Sequence, residues 1–528
     1  MSAAPGPPEQ AAESHPAGLP TVWPSVVHML DAAARRSPAA TALICGDESL
    51  TYREYASCAA GLAAELNAAG VGAGSRVALV MGNSIDIAIA TFGVQAAGAQ
   101  VVPLNPAYTA SELAPMLVDV AAEAIVYDSD TEPTLRALIA DVDVARRIEV
   151  GRGARHLDAW RGRPELADRL PLPDPDALST LQYTGGTTGR SKGVDLVHRA
   201  VSINVSQREA LLPTEPDGER VLAITPLFHV YAVAMGLYLA VYGRGTLVIA
   251  PRFRPQAVLE AIARQRITLL AASPTILAGL MACEHFAAAD LSSLKLCFSG
   301  SSALPEATLQ RWESATGCGV VEGYGQSEAG PVLSYNPRDG VRKTGSVGIA
   351  LPETRIEIVD TATGREVLPA GTLGEIRARG PQLMRGYRNL PGETAAALRD
   401  GWLYTGDIGE LDADGYLYIR DRKKEMVIVG GYNVYPREVE EALYAHPQVR
   451  EAGVVGVPDA YRGEALVATV VVAEGGALVE ADLLAWLAAR LVKYKLPSVL
   501  RFVDALPKTS VGKVDKNQLR ADARAASG

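Results

Sequence analysis

Four short stretches of the chain combine residue types that could bind a phosphate ester and act on it. The first, YTGGTTGRSKG, runs from Tyr183 to Gly193 at the end of the strand-like segment LSTLQYT. Its glycines let the backbone approach an anion closely, and consecutive N–H groups form an anion-binding nest. A lysine ammonium suits a terminal phosphate. The candidate phosphate ligands are Thr184, Gly185, Gly186, Thr187, Thr188, Gly189 and Lys192.

The spacing of this loop differs from the usual phosphate-loop pattern, in which glycine precedes the lysine and Ser or Thr follows it. Here Ser191 precedes Lys192 and Gly193 follows it. The loop alone therefore leaves a flexible Gly/Ser/Thr surface loop open as an alternative.

The second and third stretches could bind the rest of a nucleotide. In EGYGQSEAGP, Tyr324 lies between glycines, where a flat base could stack on its ring. Glu328 in the same stretch is a hard oxygen ligand that suits Mg²⁺. In the third stretch, Asp407 could accept both hydroxyls of a ribose, and Arg422 could supply a partner donor. Taken alone, the second stretch also fits a turn with a solvated glutamate.

The fourth stretch lies near the C-terminus, and a turn in the third stretch has another explanation. In LPKTSVGKVDK, Lys513 follows a glycine; a lone lysine is ordinarily a solvated surface residue. The aspartates of DADG, residues 412–415, favour a hairpin turn. An EF-hand calcium loop would need further ligands and a terminal glutamate, which are missing.

The elements around these stretches predict an α/β protein. Helix and buried-strand patterns alternate from Thr51 to Asp128, which is typical of parallel α/β layers. A second α/β series follows the loop, and residues 341–418 change to short strands and Gly/Pro turns. The segment 145–175 favours an irregular connection. We predict a large multi-subdomain N-terminal body, with two α/β layers and a β-rich subdomain, and a small mobile α+β C-terminal domain.

The predicted boundaries follow from the same patterns. Residues 1–20 favour a disordered lead, residues 21–422 a large N-terminal domain, and residues 423–528 a C-terminal domain. The net charge of −10 disfavours a nucleic-acid partner. The longest strongly apolar run is shorter than the ~20 residues that span a bilayer, so we expect no integral membrane segment. Five scattered cysteines without a C-x-x-C pair favour free thiols in a reducing cytoplasm.

These four stretches and one further motif together resemble a known family. In one order along the chain come the Tyr183–Gly193 loop, YGQSE, TGD, DRKKEMVIVGGYNVYPREVE and PKTSVGK. This order and wording resemble the acyl-adenylate-forming (AMP-binding) superfamily, which includes acyl-CoA synthetases, peptide-synthetase adenylation domains and firefly luciferases. The resemblance runs from about Trp23 to Leu519 and is strongest to bacterial medium- and long-chain fatty-acyl-CoA ligases.

The resemblance implies a two-step reaction with ATP, Mg²⁺ and coenzyme A, in which residues 21–422 are the N-terminal ATP- and acyl-binding domain. ATP and a carboxylate give an acyl-adenylate and pyrophosphate, and the acyl group then passes to the thiol of coenzyme A. It implies that Ser327 contacts the α-phosphate, that Glu328 holds Mg²⁺ and that Lys513 bridges the carboxylate and the α-phosphate. The residues that it places against the nucleotide are Thr184, Gly185, Gly186, Thr187, Thr188, Gly189, Lys192, Gly300, Ser301, Ser302, Glu322, Gly323, Tyr324, Gly325, Asp407 and Arg422.

The resemblance also implies that the C-terminal domain swings between the two steps. Lys424 matches the hinge position, and Gly430 and Gly431 match the loop that lines the pantetheine tunnel. Many members have Ser where this chain has Gly185 and Pro where it has Ser191. Backbone N–H groups can replace the missing donor, so these departures do not weaken the prediction.

The acid is less well determined. PLFHVYAVAMGLYLAVYG resembles the helix that walls the acyl site, with His229 near the carboxylate; a satisfied core histidine is the alternative. Ala232, Gly236 and Ala240 recur on one helical face, which fits either close helix packing or an open pocket. No Lys or Arg lies in this stretch, which speaks against a second carboxylate on the acid.

We therefore favour a medium- or long-chain fatty acid, with an aryl acid of the 4-coumarate or benzoate kind as runner-up. Delivery of the acyl-adenylate to a separate carrier protein is a second alternative. A non-catalytic nucleotide sensor is disfavoured, because Lys192, Glu328 and Lys513 are all present. The sequence leaves a homodimer open.

Overall fold

The structure is a computed structural model that describes residues 18–184, 191–300, 302–459, 461–473, 475–509 and 513–525. Most of the predicted disordered lead, residues 1–17, lies outside this part of the chain. So do Gly185, Gly186, Thr187, Thr188, Gly189 and Ser301 among the predicted ligands.

Fifteen α-helices occur in the described part of the chain. They are α1 Val26–Arg36, α2 Tyr52–Ala68, α3 Ile85–Ala96, α4 Ala110–Val120, α5 Pro133–Asp141, α6 His198–Leu211, α7 Val230–Ala232, α8 Leu239–Tyr242, α9 Pro255–Gln265, α10 Pro274–Met281, α11 Glu306–Thr316, α12 Pro391–Ala397, α13 Pro436–Tyr444, α14 Glu480–Ala488 and α15 Lys516–Ala525. A π-helical turn, Val233–Tyr238, joins α7 to α8. Short 3-10 turns span Leu157–Trp160, Pro164–Arg169, Phe286–Ala288, Ser327–Ala329 and Lys493–Lys495.

The strands of the described residues number twenty-six. They are β1 Thr41–Cys45, β2 Glu48–Thr51, β3 Arg76–Val80, β4 Gln100–Leu104, β5 Ala124–Asp128, β6 Arg146–Val150, β7 Leu178–Thr184, β8 Lys192–Val197, β9 Arg220–Ala223, β10 Thr246–Ile249, β11 Leu269–Ala272, β12 Leu296–Ser299, β13 Val320–Gly325, β14 Val332–Tyr335, β15 Ile349–Ala350, β16 Arg355–Val359, β17 Gly374–Arg379, β18 Gly386–Tyr387, β19 Leu398–Arg399, β20 Trp402–Leu411, β21 Leu417–Arg422, β22 Val427–Val429, β23 Tyr432–Val434, β24 Val449–Asp459, β25 Gly463–Val472 and β26 Val499–Phe502.

Two large, mostly parallel sheets form the N-terminal body. One has nine strands in the order β15-β14-β13-β12-β11-β9-β10-β1-β2, and the other has seven in the order β18-β8-β7-β4-β3-β5-β6. Helix α3 explains how the two layers are joined. All twelve of its residues are buried, and eight of them belong to the largest core cluster, which also contains strand residues of both sheets. Because no face of α3 meets water, its sequence IDIAIATFGVQA is apolar nearly all round.

Two smaller antiparallel units follow. Strands β16, β17, β20, β19 and β21 make the predicted β-rich subdomain, and β23, β22, β25, β24 and β26 make a separate sheet with its own core. The first unit ends with β21 at Arg422, and the second begins with β22 at Val427. The predicted fold class is confirmed, whereas the exact domain boundary at 422/423 stays a prediction.

Two local expectations need correction. The segment 145–175 is not wholly irregular, because Arg146–Val150 pairs in parallel with β5 as the edge strand β6. The stretch after Pro226 is helical only from Val230, and its middle is a π turn rather than a regular α-helix. No helix in the described part of the chain is long and apolar enough to cross a membrane. All five cysteines are free thiols.

Candidate functional site

The Gly/Thr-rich loop connects two antiparallel strands. Thr184 ends β7, Lys192 begins β8, and the two residues are register partners. Thr184 Oγ1 donates a hydrogen bond to the carbonyl of Lys192 at 3.4 Å. A strand therefore follows the loop here, whereas a helix follows the usual phosphate loop, which explains why the lysine spacing differs.

Tyr387 links the two charged residues next to this hairpin. Its hydroxyl donates to Glu328 Oε1 at 2.7 Å, and Lys192 Nζ lies 5.1 Å from the centre of its ring. Glu328 is buried, and its carbonyl accepts from the Met384 N–H at 2.8 Å. Lys192 also forms an ion pair with Glu393. The predicted phosphate ligand and the predicted metal ligand thus both contact one tyrosine, the first at its ring and the second at its hydroxyl.

The predicted base- and ribose-binding residues are also in contact. Tyr324 donates its hydroxyl proton to Asp407 Oδ2 at 2.6 Å, and Arg422 Nε lies 3.6 Å from Asp407 Oδ1. Burial raises the pKa of Asp407, while the Arg422 cation and the Tyr324 hydrogen bond oppose that rise. Asp407 and Arg422 are partners across β20 and β21, so an ordinary antiparallel pairing brings them together.

Glycines let the backbone fit closely around this contact. A Cβ on Gly300 would lie 2.7 Å from the Tyr231 ring, and one on Gly323 would lie 2.4 Å from the Tyr335 ring. Only glycine fits at either place without displacing an aromatic ring. Between them, Glu322 Oε1 accepts from the Leu304 N–H at 3.3 Å, and burial raises the pKa of Glu322 to about 7.

The remaining predicted ligands lie around the same strands. Ser327 begins the 3-10 turn that follows β13 and is partly buried, while Gly325, at the end of β13, and Ser302 are exposed.

Lys513 reaches this region from the opposite end of the chain. Burial lowers its pKa to about 8; Arg422 lowers it further and Asp407 opposes the change. His229 is another neighbour: burial lowers its pKa to about 3, and the positive charge of Lys513 adds to this effect. His229 is therefore neutral at pH 7, and its Nδ1 accepts from the Tyr231 N–H at 3.3 Å, which caps α7. We call Lys192, Glu328, Asp407, Arg422 and Lys513 the charged edge.

The C-terminal sheet and helices are held against the body beside this edge. Arg437 Nη1 of α13 donates to the Ile419 carbonyl of β21 at 2.8 Å, and the Arg437 N–H donates to Asp421 Oδ2 at 3.1 Å. Lys424 is exposed in the connection between β21 and β22. Gly430 and Gly431 are exposed as well, with positive φ values of 57° and 88°. These values favour glycine.

A narrow apolar cavity of about 30 Å³ reaches the charged edge at Val230, which follows His229, and at Gly330, which follows the 3-10 turn of Glu328. None of its lining residues carries a charge. They are Thr91, Val101, Pro103, Thr180, Gln182, Leu196, Val201, Leu227, Val230, Val233, Ala234, Tyr238, Gly330 and Pro331. We call this space the apolar cavity.

The row of small residues predicted for a pocket wall lies elsewhere. Ala232 and Ala240 are buried in the main core, and a Cβ on Gly236 would be in ordinary contact with Leu247 at 3.7 Å. None of the three lines the apolar cavity. The pocket interpretation of this row is therefore wrong, and the helix-packing alternative is right.

Sequence reasoning missed three residues of the site: Tyr387, Glu393 and Arg437. Tyr387 is 59 residues from Glu328 and contacts it only because β18 pairs with β8. Its one local signal is an aromatic residue between Gly386 and Arg388. For Arg437 the only signal is a cation at the start of an amphipathic helix, which is too common to be informative.

Two mostly parallel sheets and a small C-terminal unit thus carry a charged edge beside an uncharged cavity. Comparisons with known proteins identify the class of enzyme that has this arrangement. Residues 30–388 match the family described as AMP-binding enzyme, and residues 438–513 match the AMP-binding enzyme C-terminal domain. The chain belongs to the AMP-binding enzyme family.

Similar proteins extend over nearly the full chain. A long-chain-fatty-acid–CoA ligase of Bacillus subtilis is 38% identical over 96% of this chain and 95% of its own length. A feruloyl-CoA synthase of an Amycolatopsis species is 38% identical over 92% of this chain and 96% of its own. ATP-bound MatB from Rhodopseudomonas palustris superposes with a TM-score of 0.87 at 32% identity, over 96% of this chain and 100% of its own. The predicted family, fold class and enzyme class, an AMP-forming acid–thiol ligase, are confirmed.

Proposed function

We propose that the enzyme activates a medium- or long-chain fatty acid with ATP and transfers the acyl group to coenzyme A. In the first step the carboxylate attacks the α-phosphorus, the bond to the β-phosphate oxygen breaks and pyrophosphate leaves. In the second step the thiol attacks the acyl carbon and AMP leaves. The products are acyl-CoA and AMP.

The observation that carries this proposal is the uncharged cavity, whose lining residue Val230 directly follows His229, a neighbour of Lys513. An alkyl chain gains roughly 0.8 kcal/mol for each methylene that it buries, whereas a charged tail would lie unpaired among these side chains. The carboxylate would then lie at the mouth of the cavity, near His229 and the Lys513 ammonium. A carboxylate is already ionised at neutral pH, so the first step needs no general base.

The charged edge supplies what the first step does need, which is neutralisation of negative charge. Lys513 would bridge the acid and the α-phosphate, and Lys192 would bind the phosphates that leave. Such preorganised groups act where charge accumulates in the transition state. Asp407 and Arg422 would hold the ribose, with Tyr324 against adenine.

Glu328 is suited to Mg²⁺ because it is a buried carboxylate with one oxygen already oriented by Tyr387. Among the described residues, no group of three or more His, Cys, Asp or Glu side chains could hold a metal ion. The ion would therefore bind largely through ATP phosphates, which is usual for Mg²⁺. Bound there, it would offset charge on the triphosphate.

The second step needs Lys513 to leave and a thiol to enter. We propose that the C-terminal domain, residues 423–528, rotates about Lys424. The Gly430–Gly431 loop would then face the site, where the absence of side chains leaves room for the slender pantetheine arm. In the present arrangement Lys513 lies at the charged edge, which corresponds to the first step.

Two alternatives differ from this proposal in one substrate each. An aryl acid is favoured by the similarity to a feruloyl-CoA synthase. A carrier-protein thiol could replace coenzyme A as the acceptor.

A panel assay distinguishes the three. The enzyme is given ATP, Mg²⁺ and either straight-chain fatty acids or aryl acids, with and without coenzyme A, and AMP and thioester are measured. We expect thioester from fatty acids and a burst of AMP that depends on coenzyme A. Thioester from aryl acids alone would replace the fatty acid, and acyl-AMP accumulation indifferent to coenzyme A would contradict the proposed acceptor.

A further inference from the structure

Tyr238 lies at the end of the apolar cavity that is farthest from the charged edge. Strand β7 runs toward the edge, where it ends at Thr184, and the cavity-lining Thr180 lies four residues earlier. At the usual rise of a strand this places Thr180 about 13 Å from the edge. Val101, the register partner of Thr180 on β4, lines the same end.

The helix that forms the opposite wall gives the same depth. Val230 directly follows His229 at the mouth, and Tyr238 comes eight residues later. The α-helical rise of 1.5 Å per residue places these positions at most about 12 Å apart along the axis, because the π turn Val233–Tyr238 rises less per residue. The strand wall and the helix wall therefore both place Tyr238 at the deep end of the cavity, away from the proposed carboxylate position.

The ring of Tyr238 is fixed in this place. Its hydroxyl accepts a hydrogen bond from Gln95 Nε2 at 3.1 Å, and the same amide nitrogen donates to Ser179 Oγ at 3.0 Å. Phe92 packs edge-on against the ring with centroids 5.8 Å apart. All four side chains are buried, so the ring cannot swing aside without breaking a buried hydrogen bond.

We propose that Tyr238 is the chain-length stop of this enzyme: its ring closes the deep end of the apolar cavity and limits the acid to medium length. The proposal rests on the proposed function, because it requires that the acyl chain enters this cavity. A well-packed end discriminates sharply, since one methylene too many in an apolar pocket costs about 10–200-fold in kcat/KM.

The test is a chain-length profile. The ratio kcat/KM is measured by thioester formation for straight-chain acids of even carbon number from hexanoate to octadecanoate. Tyr238→Ala removes the ring and should raise kcat/KM by about tenfold or more for the acid just longer than the wild-type optimum. Tyr238→Phe keeps the ring and should leave the optimum in place. Tyr242→Ala is the matched control, because this tyrosine lies four residues on, outside the cavity.

A second variant should shift the chain-length profile in the opposite direction, toward shorter acids. Ala234 lines the cavity between mouth and end, so Ala234→Leu should shift the optimum to shorter acids and lower kcat/KM for the original optimum by about tenfold or more. It also keeps the test decisive if thermal unfolding shows that Tyr238→Ala is not folded. An unchanged profile in the folded variants would overturn the length stop and leave the fatty-acid ligase intact. Wild-type enzyme that forms no thioester from any acid of the series would instead overturn the proposed function.

Discussion

The charged edge and the apolar cavity meet at β7, whose Thr184 lies at the edge and whose Thr180 lines the cavity. Four residues of one strand separate a region of fixed charges from a region without any. At the edge, burial and neighbouring charges shift the pKa of Lys513 and Asp407. In the cavity, no charged side chain acts on a ligand. The charged edge therefore determines which reaction takes place, and the apolar cavity determines which acid binds.

The largest effect is expected when the one residue of the charged edge that comes from the C-terminal domain is replaced. Lys513→Ala should lower acid-dependent ATP–pyrophosphate exchange by about 10²–10³-fold, because the transition state loses a preorganised cation. Thioester formation from supplied acyl-adenylate should stay largely intact. Lys508→Ala is the control, since that lysine pairs with Glu451 within the C-terminal domain. Equal loss of both half-reactions would contradict the role assigned to Lys513.

A charge placed in the cavity should change the acid and not the reaction. Val233→Lys should lower the preference for a fatty acid over the dicarboxylic acid of equal length by about 10²-fold, because the ammonium can pair with a second carboxylate. The two kcat/KM values are measured side by side, with Val233→Ile as the control. If the preference did not change, the acyl chain would lie outside the apolar cavity.

Loss of the ribose contact should weaken nucleotide binding. Asp407→Asn removes a charged acceptor that Tyr324 contacts at 2.6 Å, and it should raise KM for ATP by about 10–100-fold, as expected for one charge-assisted hydrogen bond. KM for the acid should change much less. Asp412→Asn, in the hairpin turn, is the control. A larger increase in KM for the acid than in KM for ATP would contradict the assignment of Asp407 to the ribose.

The pH dependence should follow the lowered pKa of Lys513. The cationic form is active, so it is present below about pH 8 and is lost as the pH rises through that value. Above it, kcat/KM for ATP should fall by about tenfold per pH unit, since this ratio reports the free enzyme. The fall should be absent in Lys513→Ala and retained in Lys423→Ala, whose side chain pairs with Glu375. A fall that persists without Lys513 would have another source.

The smallest expected effect concerns the residue that orients Glu328. Tyr387→Phe removes one hydrogen bond of 2.7 Å and should reduce kcat by about two- to tenfold, with partial recovery at high Mg²⁺ concentration. Tyr404→Phe, which loses a hydrogen bond to the Gly364 carbonyl away from the edge, is the control. An unaffected magnesium dependence would separate Tyr387 from the metal.

The same two regions differ in how far the sequence could predict them. Tyr324, Asp407 and Lys513 belong to short sequence motifs from which their roles were predicted. The structure brings all three together although they are far apart in the chain. The residues that line the cavity do not form a sequence motif of this kind. The i, i+4, i+8 row from Ala232 to Ala240 assumed a regular α-helix, but the π turn Val233–Tyr238 interrupts it.

Contacts that depend on strand pairing could not be predicted from the sequence either. The Tyr387–Glu328 hydrogen bond depends on the pairing of β18 with β8, which no local pattern specifies. The Arg437 contacts depend on how the C-terminal unit lies against β21. Local motifs thus predict the chemistry, whereas the acid-binding surface and its supports require the fold.

The central claim is that the reaction takes place at the α-phosphorus, between the charged edge and a carboxylate at the mouth of the cavity. The most direct measurement uses dodecanoate whose carboxyl oxygens carry a heavy oxygen isotope, with ATP, Mg²⁺ and coenzyme A. Mass spectrometry of the products should find one labelled oxygen in AMP, because a carboxylate oxygen stays on phosphorus when the thiol attacks the acyl carbon. Label in inorganic phosphate, or unlabelled AMP formed alongside thioester, would contradict the account.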